Sequence, residues 1–217
     1  MKRINVSILL IFAGIMYTMC VLVQTSMSQV PENNVVLREL LRKVGDKYDC
    51  HFTMEIGLVS GNNTNSLAGR RFSPELKGET LLQELELLRK STPNFTYRFD
   101  DLNPKIIHII DSRLSREGTY AMGKTIRSLR FNGGVFDLIN AIGQKGLSIS
   151  SRGAVSLYEL RGVDASTQVH IQEKNKKVRA ILTNVLMLQE RGRVLWIAET
   201  EIGKNKTTYV RYLNRNM

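Results

Sequence analysis

From Val35 onward the chain alternates between two hydrophobic rhythms, one recurring every three to four residues and one recurring at every second residue. Leu37, Leu40, Leu41 and Val44 fall at i, i+3, i+4 and i+7, which predicts a helix over about residues 33–47 with Gly45 near its end. Leu81, Leu82, Leu85 and Leu88 predict a second helix over 79–90. Strand-like runs lie at 50–56, 70–76, 95–99 and 105–110, with a polar Gly/Asn loop at 57–68. Asp100-Asp101-Leu102-Asn103-Pro104 has the turn chemistry to join the last two runs as a hairpin.

The second half repeats this order. Val135, Leu138, Ile139, Ile142 and Gly143 each stand 98 positions after their counterparts in the first helix. Ile181, Leu182, Val185 and Leu188 stand 100 positions after those of the second, and Leu195 and Ile197 match Phe95 and Tyr97. Amphipathic helices share spacing cheaply, whereas a nearly constant offset across helix, helix and strand points to an internal duplication. Strands are expected at 125–131, 147–151, 167–172, 193–200 and 207–213, a break at Asn132-Gly133-Gly134, and the last helix at 177–189. The expected fold class is α+β: two similar βαββαββ-like modules at 29–114 and 124–214, each with two helices packed on small sheets, joined by a linker at 115–123.

The resemblance is carried by Leu37-Arg38-Glu39-Leu40-Leu41-Arg42-Lys43-Val44-Gly45, by the run from Phe72 to Leu85 with its Pro74, Gly78 and Thr80, and by the closing hairpin. In this order the elements resemble the short N-terminal (STN) domain of secretins and TonB-dependent receptors, and the related C-terminal domain of exported anti-sigma regulators, here in two copies. The second copy is carried by Val135 to Ile149 and Val169 to Ile197. The resemblance implies a cell-envelope protein that binds other proteins and has no active site.

The start of the chain supports an extracytoplasmic address. Lys2 and Arg3 precede an apolar run from Val6 to Val23, and Ser26-Met27-Ser28 offers a small-x-small cleavage site, so residues 1–28 are expected to be an export signal. An uncleaved N-terminal anchor is the alternative, since the run approaches the length of a membrane-spanning helix. Cleavage would remove Cys20 and leave Cys50 as a lone thiol, so an internal disulfide is excluded and stability must come from packing.

Charge divides the halves. Residues 29–117 hold 13 basic and 13 acidic side chains, and residues 118–217 hold 16 basic and 7 acidic. The densest cluster, Lys174, Lys176, Lys177 and Arg179, falls where the last helix is expected to begin. Cations there oppose the helix macrodipole, so the cluster is the candidate site for an anion or a partner, with a solvated basic face as the competing reading. For an exported chain the polyanion would be anionic lipid, an envelope polymer or an acidic protein surface. Nucleic acid is disfavoured: Gly143-Gln144-Lys145-Gly146 has a GxxG spacing but precedes a strand, and no aromatic platform accompanies the basic residues.

No catalytic set, metal site or cofactor motif emerges. His51, His108 and His170 are far apart and none has a second ligand at metal-site spacing. The neighbours Cys50 and His51 would face opposite ways on a strand. The expectation is therefore a non-enzymatic envelope adaptor with a protein partner, and the alternative is an envelope polyanion-binding protein acting through the basic second half.

Overall fold

The computed structural model describes residues 35–59, 67, 70–72, 77–115, 120–147, 149–151, 168–187, 192–202 and 207–212. The expected export signal therefore lies outside the described residues, as do the loop residues 203–206. Among the described residues, no helix is long and apolar enough to cross a membrane.

The protein is mixed α+β. In chain order the elements are β1 (Val35–Val36), α1 (Leu37–Tyr48), β2 (His51–Val59), β3 (Arg71–Phe72), α2 (Leu81–Ser91), β4 (Phe95–Phe99), β5 (Ile106–Asp111) and a single turn, α3 (Ser112–Ser115). After a short 3-10 turn at Ala121–Gly123 come β6 (Thr125–Gly134), α4 (Val135–Gly143), β7 (Ile149–Ser151), β8 (Gln168–Lys177), α5 (Val178–Met187), β9 (Val194–Ile202) and β10 (Thr208–Tyr212).

Local chemistry sets the helix ends. The Thr80 hydroxyl accepts from the Gln83 N–H at 3.3 Å while the Gln83 side chain accepts from the Thr80 N–H at 3.2 Å, a reciprocal cap that starts α2. Helix α1 continues past Gly45 and stops at Asp49, whose φ of 50° is left-handed. Gly45 serves close approach instead of termination: a Cβ there would lie 2.8 Å from the Cys50 carbonyl oxygen and 2.8 Å from the Arg193 Cβ. Gly143 stands in the same relation to the next strand, with a Cβ 2.5 Å from the Ile149 carbonyl oxygen.

Six strands form one sheet in the order β4-β5-β2-β9-β10-β7. Strand β2 runs parallel to both neighbours, β5 and β9, whereas β4/β5 and β9/β10 are antiparallel and β7 adds to β10 in parallel. Two-stranded ribbons, β1/β3 and β6/β8, stand apart from it. Val35–Met217 is a compact unit.

The expectation that each half packs its helices on sheets of its own is thus modified, because the largest sheet takes strands from both halves. A strand with parallel neighbours on both edges is buried on both faces, and two hydrophobic cores cover this one. Leu37, Leu40, Leu41 and Val44 of α1 and Leu85 and Leu88 of α2 pack with Phe52, Met54, Ile56, Ile107, Ile109 and Ile197. Val135, Leu138, Ile139 and Ile142 of α4 and Ile181, Leu182 and Val185 of α5 pack with Trp196, Ala198 and Val210. Ile197 lies between Trp196 and Ala198 on β9, and successive strand residues face opposite ways, so the helices of the two halves cover opposite faces.

Two expected elements have different bounds. Strand β6 runs through Asn132-Gly133-Gly134 without a break, pairing with β8 as far as Gly134 opposite Gln168. Strand β8 extends to Lys177, displacing the expected helix start by one residue and placing the lysine cluster on a strand.

Candidate functional site

The four candidate residues separate into two environments. Lys174, Lys176 and Lys177 lie on β8, with Lys174 and Lys177 exposed and Lys176 half-buried. The strand runs straight into α5, so Lys177 directly precedes the first helical residue, Val178, while Lys174 and Lys176 lie further back along β8. Arg179 stands one residue inside α5, and its side chain is buried. The anion it holds is internal: its Nε and Nη2 both donate to the Glu55 carboxylate, the latter at 2.6 Å. Arg179 is accordingly removed from the candidate surface, on which Lys174 and Lys177 stand exposed while Lys176, half-buried opposite Ile126, lies toward the inner side.

Residues on β6 enlarge that surface. Lys124, Arg127 and Arg130 are exposed, and the register sets Arg130 beside Gln172, Ser128 beside Lys174 and Thr125 beside Lys177. Asn175 has a φ of 52°, in the left-handed region that Asn tolerates better than most residues. Around this point Arg127 and Ser128 are both exposed, as are Lys174 and Asn175, so the outward series changes phase. Arg130 and Lys174 thereby share an outer face with Arg127 and Lys177. The inner face carries Ile126, Leu129, Val169 and Ile171, all within the core that includes α4 and α5.

Glu55 is the centre of a polar layer between the halves. Thr53 and Glu55 of β2 stand in register with Trp196 and Ala198 of β9, which places them on the face that α4 and α5 cover. Glu55 is 0% exposed and Arg179 8%. The Tyr120 hydroxyl donates to the second Glu55 oxygen at 2.7 Å, and burial followed by the Glu55 charge pushes the phenol well above its ordinary range. Ion pairs this deeply desolvated are costly to break and contribute little net stability over an apolar replacement. Their consequence here is a fixed relation between β2 and α5.

Beside it, His108 bridges Thr53 and Asp100, with Nδ1 2.8 Å from the Thr53 hydroxyl and Nε2 3.0 Å from an Asp100 oxygen. The carboxylate can only accept, so Nε2 carries the proton and Nδ1 accepts from Thr53. Although the order Thr-His-Asp has the form of a nucleophile relay, Thr53 is 0% and His108 1% exposed. A substrate cannot reach the hydroxyl in this conformation. Burial holds the imidazole below its ordinary pKa. Asp100 is pushed up by burial but held below its usual range by hydrogen bonds from Leu102, His108 and Asn103.

The remaining expected groups are dispersed. Cys50 is buried, and burial raises its thiol to about 11. The His51 ring lies 3.0 Å from the Gly192 carbonyl oxygen, and His170 is exposed on the ribbon. Arg42, Lys43, Asp46, His51, Met187, Gly192 and Arg193 line a cleft of about 570 Å³. Arg193 bonds Asp46 at 2.9 Å and Asp49 at 3.0 Å, tying β9 to the end of α1. Lys105 and then Arg193 lower the Asp49 carboxyl to about 2. Among the described residues, no group of three His, Cys, Asp or Glu side chains is placed to hold a metal ion.

A second surface is the edge of the long sheet at β4, which no strand covers among the described residues. The N–H of Ser112 bonds the Asn94 carbonyl at 2.8 Å and that of Asp100 bonds the Ile106 carbonyl at 2.9 Å. Antiparallel alternation then turns the backbone groups of Thr96 and Arg98 toward β5 and those of Tyr97 and Phe99 outward. Along the same strand Phe95, Tyr97 and Phe99 form an aromatic row, with ring centroids 6.5 and 6.1 Å apart. Phe99 is 38% exposed, and the Tyr97 hydroxyl donates to Glu86 of α2 at 2.7 Å.

Together these features define a mixed α+β protein with an open strand edge and a basic ribbon. Compared with known proteins, the chain matches no family model, no curated protein and no solved structure.

Proposed function

We propose that the protein is an exported, non-enzymatic cell-envelope adaptor built from two STN-like βαββαββ modules, which takes up a strand of a partner protein along β4. The matching order of elements from Val35 and from Thr125 supports the duplication, as do Gly45 and Gly143, each allowing a helix to approach the first carbonyls of the following strand. In that correspondence β4 is equivalent to β9. The observation that carries the proposal is the difference between these equivalents: the edge of β9 is filled by β2 in parallel, whereas among the described residues no strand pairs with the outer edge of β4. Exposed edges of this kind bind partner strands through backbone hydrogen bonds, with side chains conferring selectivity.

The test uses the immobilised full chain and solubilised envelope. Retention of a defined protein that survives high salt and is lost with Phe99→Pro supports the adaptor. Proline removes an outward N–H and spares the β5 ladder. Equal retention by the variant, or retention that salt abolishes, contradicts it. A second reading, binding of an envelope polyanion through the second half, is favoured by the cations of the β6/β8 ribbon.

A further inference from the structure

Six cations occupy the β6/β8 ribbon and its entry: Lys124, Arg127, Arg130, Lys174, Lys176 and Lys177. Among the described residues none of them forms an ion pair. In the first half Lys47, Arg89, Arg98, Lys105 and Arg113 each pair with a carboxylate, while Lys43, Arg70, Lys77 and Lys90 form no ion pair among the described residues and supply a charge-matched control. On the ribbon the single acid is Glu173, half-buried and opposite Leu129 on the inner side.

The shape of this surface selects its partner. From residue 124 to residue 130 a strand spans about 20 Å at roughly 3.3 Å per residue, so the charges are spread along a rod. The inner face of the ribbon is committed to Ile126, Leu129, Val169 and Ile171 in the core, so its cations are presented on one face. Stacking on single-stranded nucleic acid relies on a platform of exposed aromatics; on the ribbon Phe131 is half-buried against the core and the one exposed ring is the His170 imidazole. Four of the six cations are lysines, compact charges on flexible stems that suit a diffuse layer of negative charge better than one shaped anion.

We infer that the outer face of the β6/β8 ribbon is an electrostatic docking surface for an anionic phospholipid bilayer. This deepens the polyanion reading by naming the polyanion, and it is independent of the strand edge at β4. The left-handed Asn175 is part of the device, because the phase change there brings Lys177 and Arg127 onto the same outer face as Lys174 and Arg130.

The test is co-sedimentation of the full chain with vesicles of mixed phosphatidylglycerol and phosphatidylcholine, against vesicles of phosphatidylcholine alone. Any insertion of the apolar N-terminal run contributes to both, so the difference between them isolates charge. The wild-type chain is expected to prefer the anionic vesicles at low salt and to lose the preference as salt rises. Each cation near such a surface is worth about fivefold in partition. Arg127→Ala, Arg130→Ala, Lys174→Ala and Lys177→Ala combined should therefore lower binding by at least a hundredfold, while the circular dichroism spectrum is retained. The charge-matched combination Lys43→Ala, Arg70→Ala, Lys77→Ala and Lys90→Ala, in the first half, should leave most of the binding. Equal loss in both combinations would reduce the effect to net charge and overturn the assignment. Absence of any vesicle preference would overturn it too. Ribbon-dependent retention on dextran sulfate without vesicle binding would keep the polyanion reading and overturn the bilayer as its target.

Discussion

Replacing Arg179 with alanine removes the cation from a carboxylate that has no solvent to turn to. Glu55 is 0% exposed, and among the described residues it keeps only the Tyr120 hydroxyl as a donor once Nε and Nη2 are gone. Breaking a buried pair by deleting one partner costs about 3–5 kcal/mol. At about 2–4 °C per kcal/mol for a domain of this size, the midpoint of thermal unfolding should fall by roughly 6–20 °C. Removing all three members is a different perturbation: Glu55→Leu, Arg179→Met and Tyr120→Phe together should lie within about 1–2 kcal/mol of wild type, since apolar replacement of a desolvated pair is often neutral or better. Urea unfolding of wild type, single variant and triple variant measures both quantities. The two halves should unfold in one transition, because the pair and the β2/β9 ladder cross between them. A deficit for Arg179→Ala below about 1 kcal/mol, the worth of an exposed pair, would refute the desolvation on which this reasoning depends.

Other consequences follow from single residues. Asp49, depressed to about 2 by Lys105 and Arg193, contributes stability above its unfolded pKa that is lost as pH falls through about 2; an NMR titration should find that midpoint, and Lys105→Ala should return it toward 3.8. His108 is held neutral in the fold, so its contribution is present above the ordinary histidine value of 6.5 and erodes as pH falls below it; unfolding measured between neutral pH and acid should show this slope, and His108→Gln should flatten it. Cys50, with its thiol raised to about 11, should resist alkylation in the native protein and react only in denaturant; labelling in buffer would contradict its burial. Gly143→Ala should destabilise the chain clearly, because its Cβ would press on the Ile149 carbonyl oxygen, and wild-type stability would show that α4 can withdraw.

The sequence made the helices and hairpins legible because their signals are local. Phe95–Phe99 is bounded as expected, and α1 and α2 follow the leucine spacing. The pairing of β2 with β9 depends on residues far apart in the chain and has no local signature. Thr53 and Glu55 alternate with Phe52, Met54 and Ile56, the pattern of a half-exposed strand, and only the second half's helices turn that polar face into an interface. Arg179 was masked by the neighbouring lysines. Its one local sign was its spacing to Leu182 and Thr183, at i+3 and i+4, both of them buried. Glu173 to Lys177 is a polar run without hydrophobic alternation, so nothing local extends the strand expected at 167–172 as far as Lys177. That strand is defined by β6, about fifty residues earlier in the chain.

The central claim, that β4 receives a partner strand, is tested most directly by photocrosslinking in the producing cell with a photoreactive phenylalanine analogue at position 99. The account predicts a crosslink to one envelope protein, and none from the same analogue at the buried position Phe52. Absence of a specific adduct at position 99, with the chain exported and folded, would contradict it.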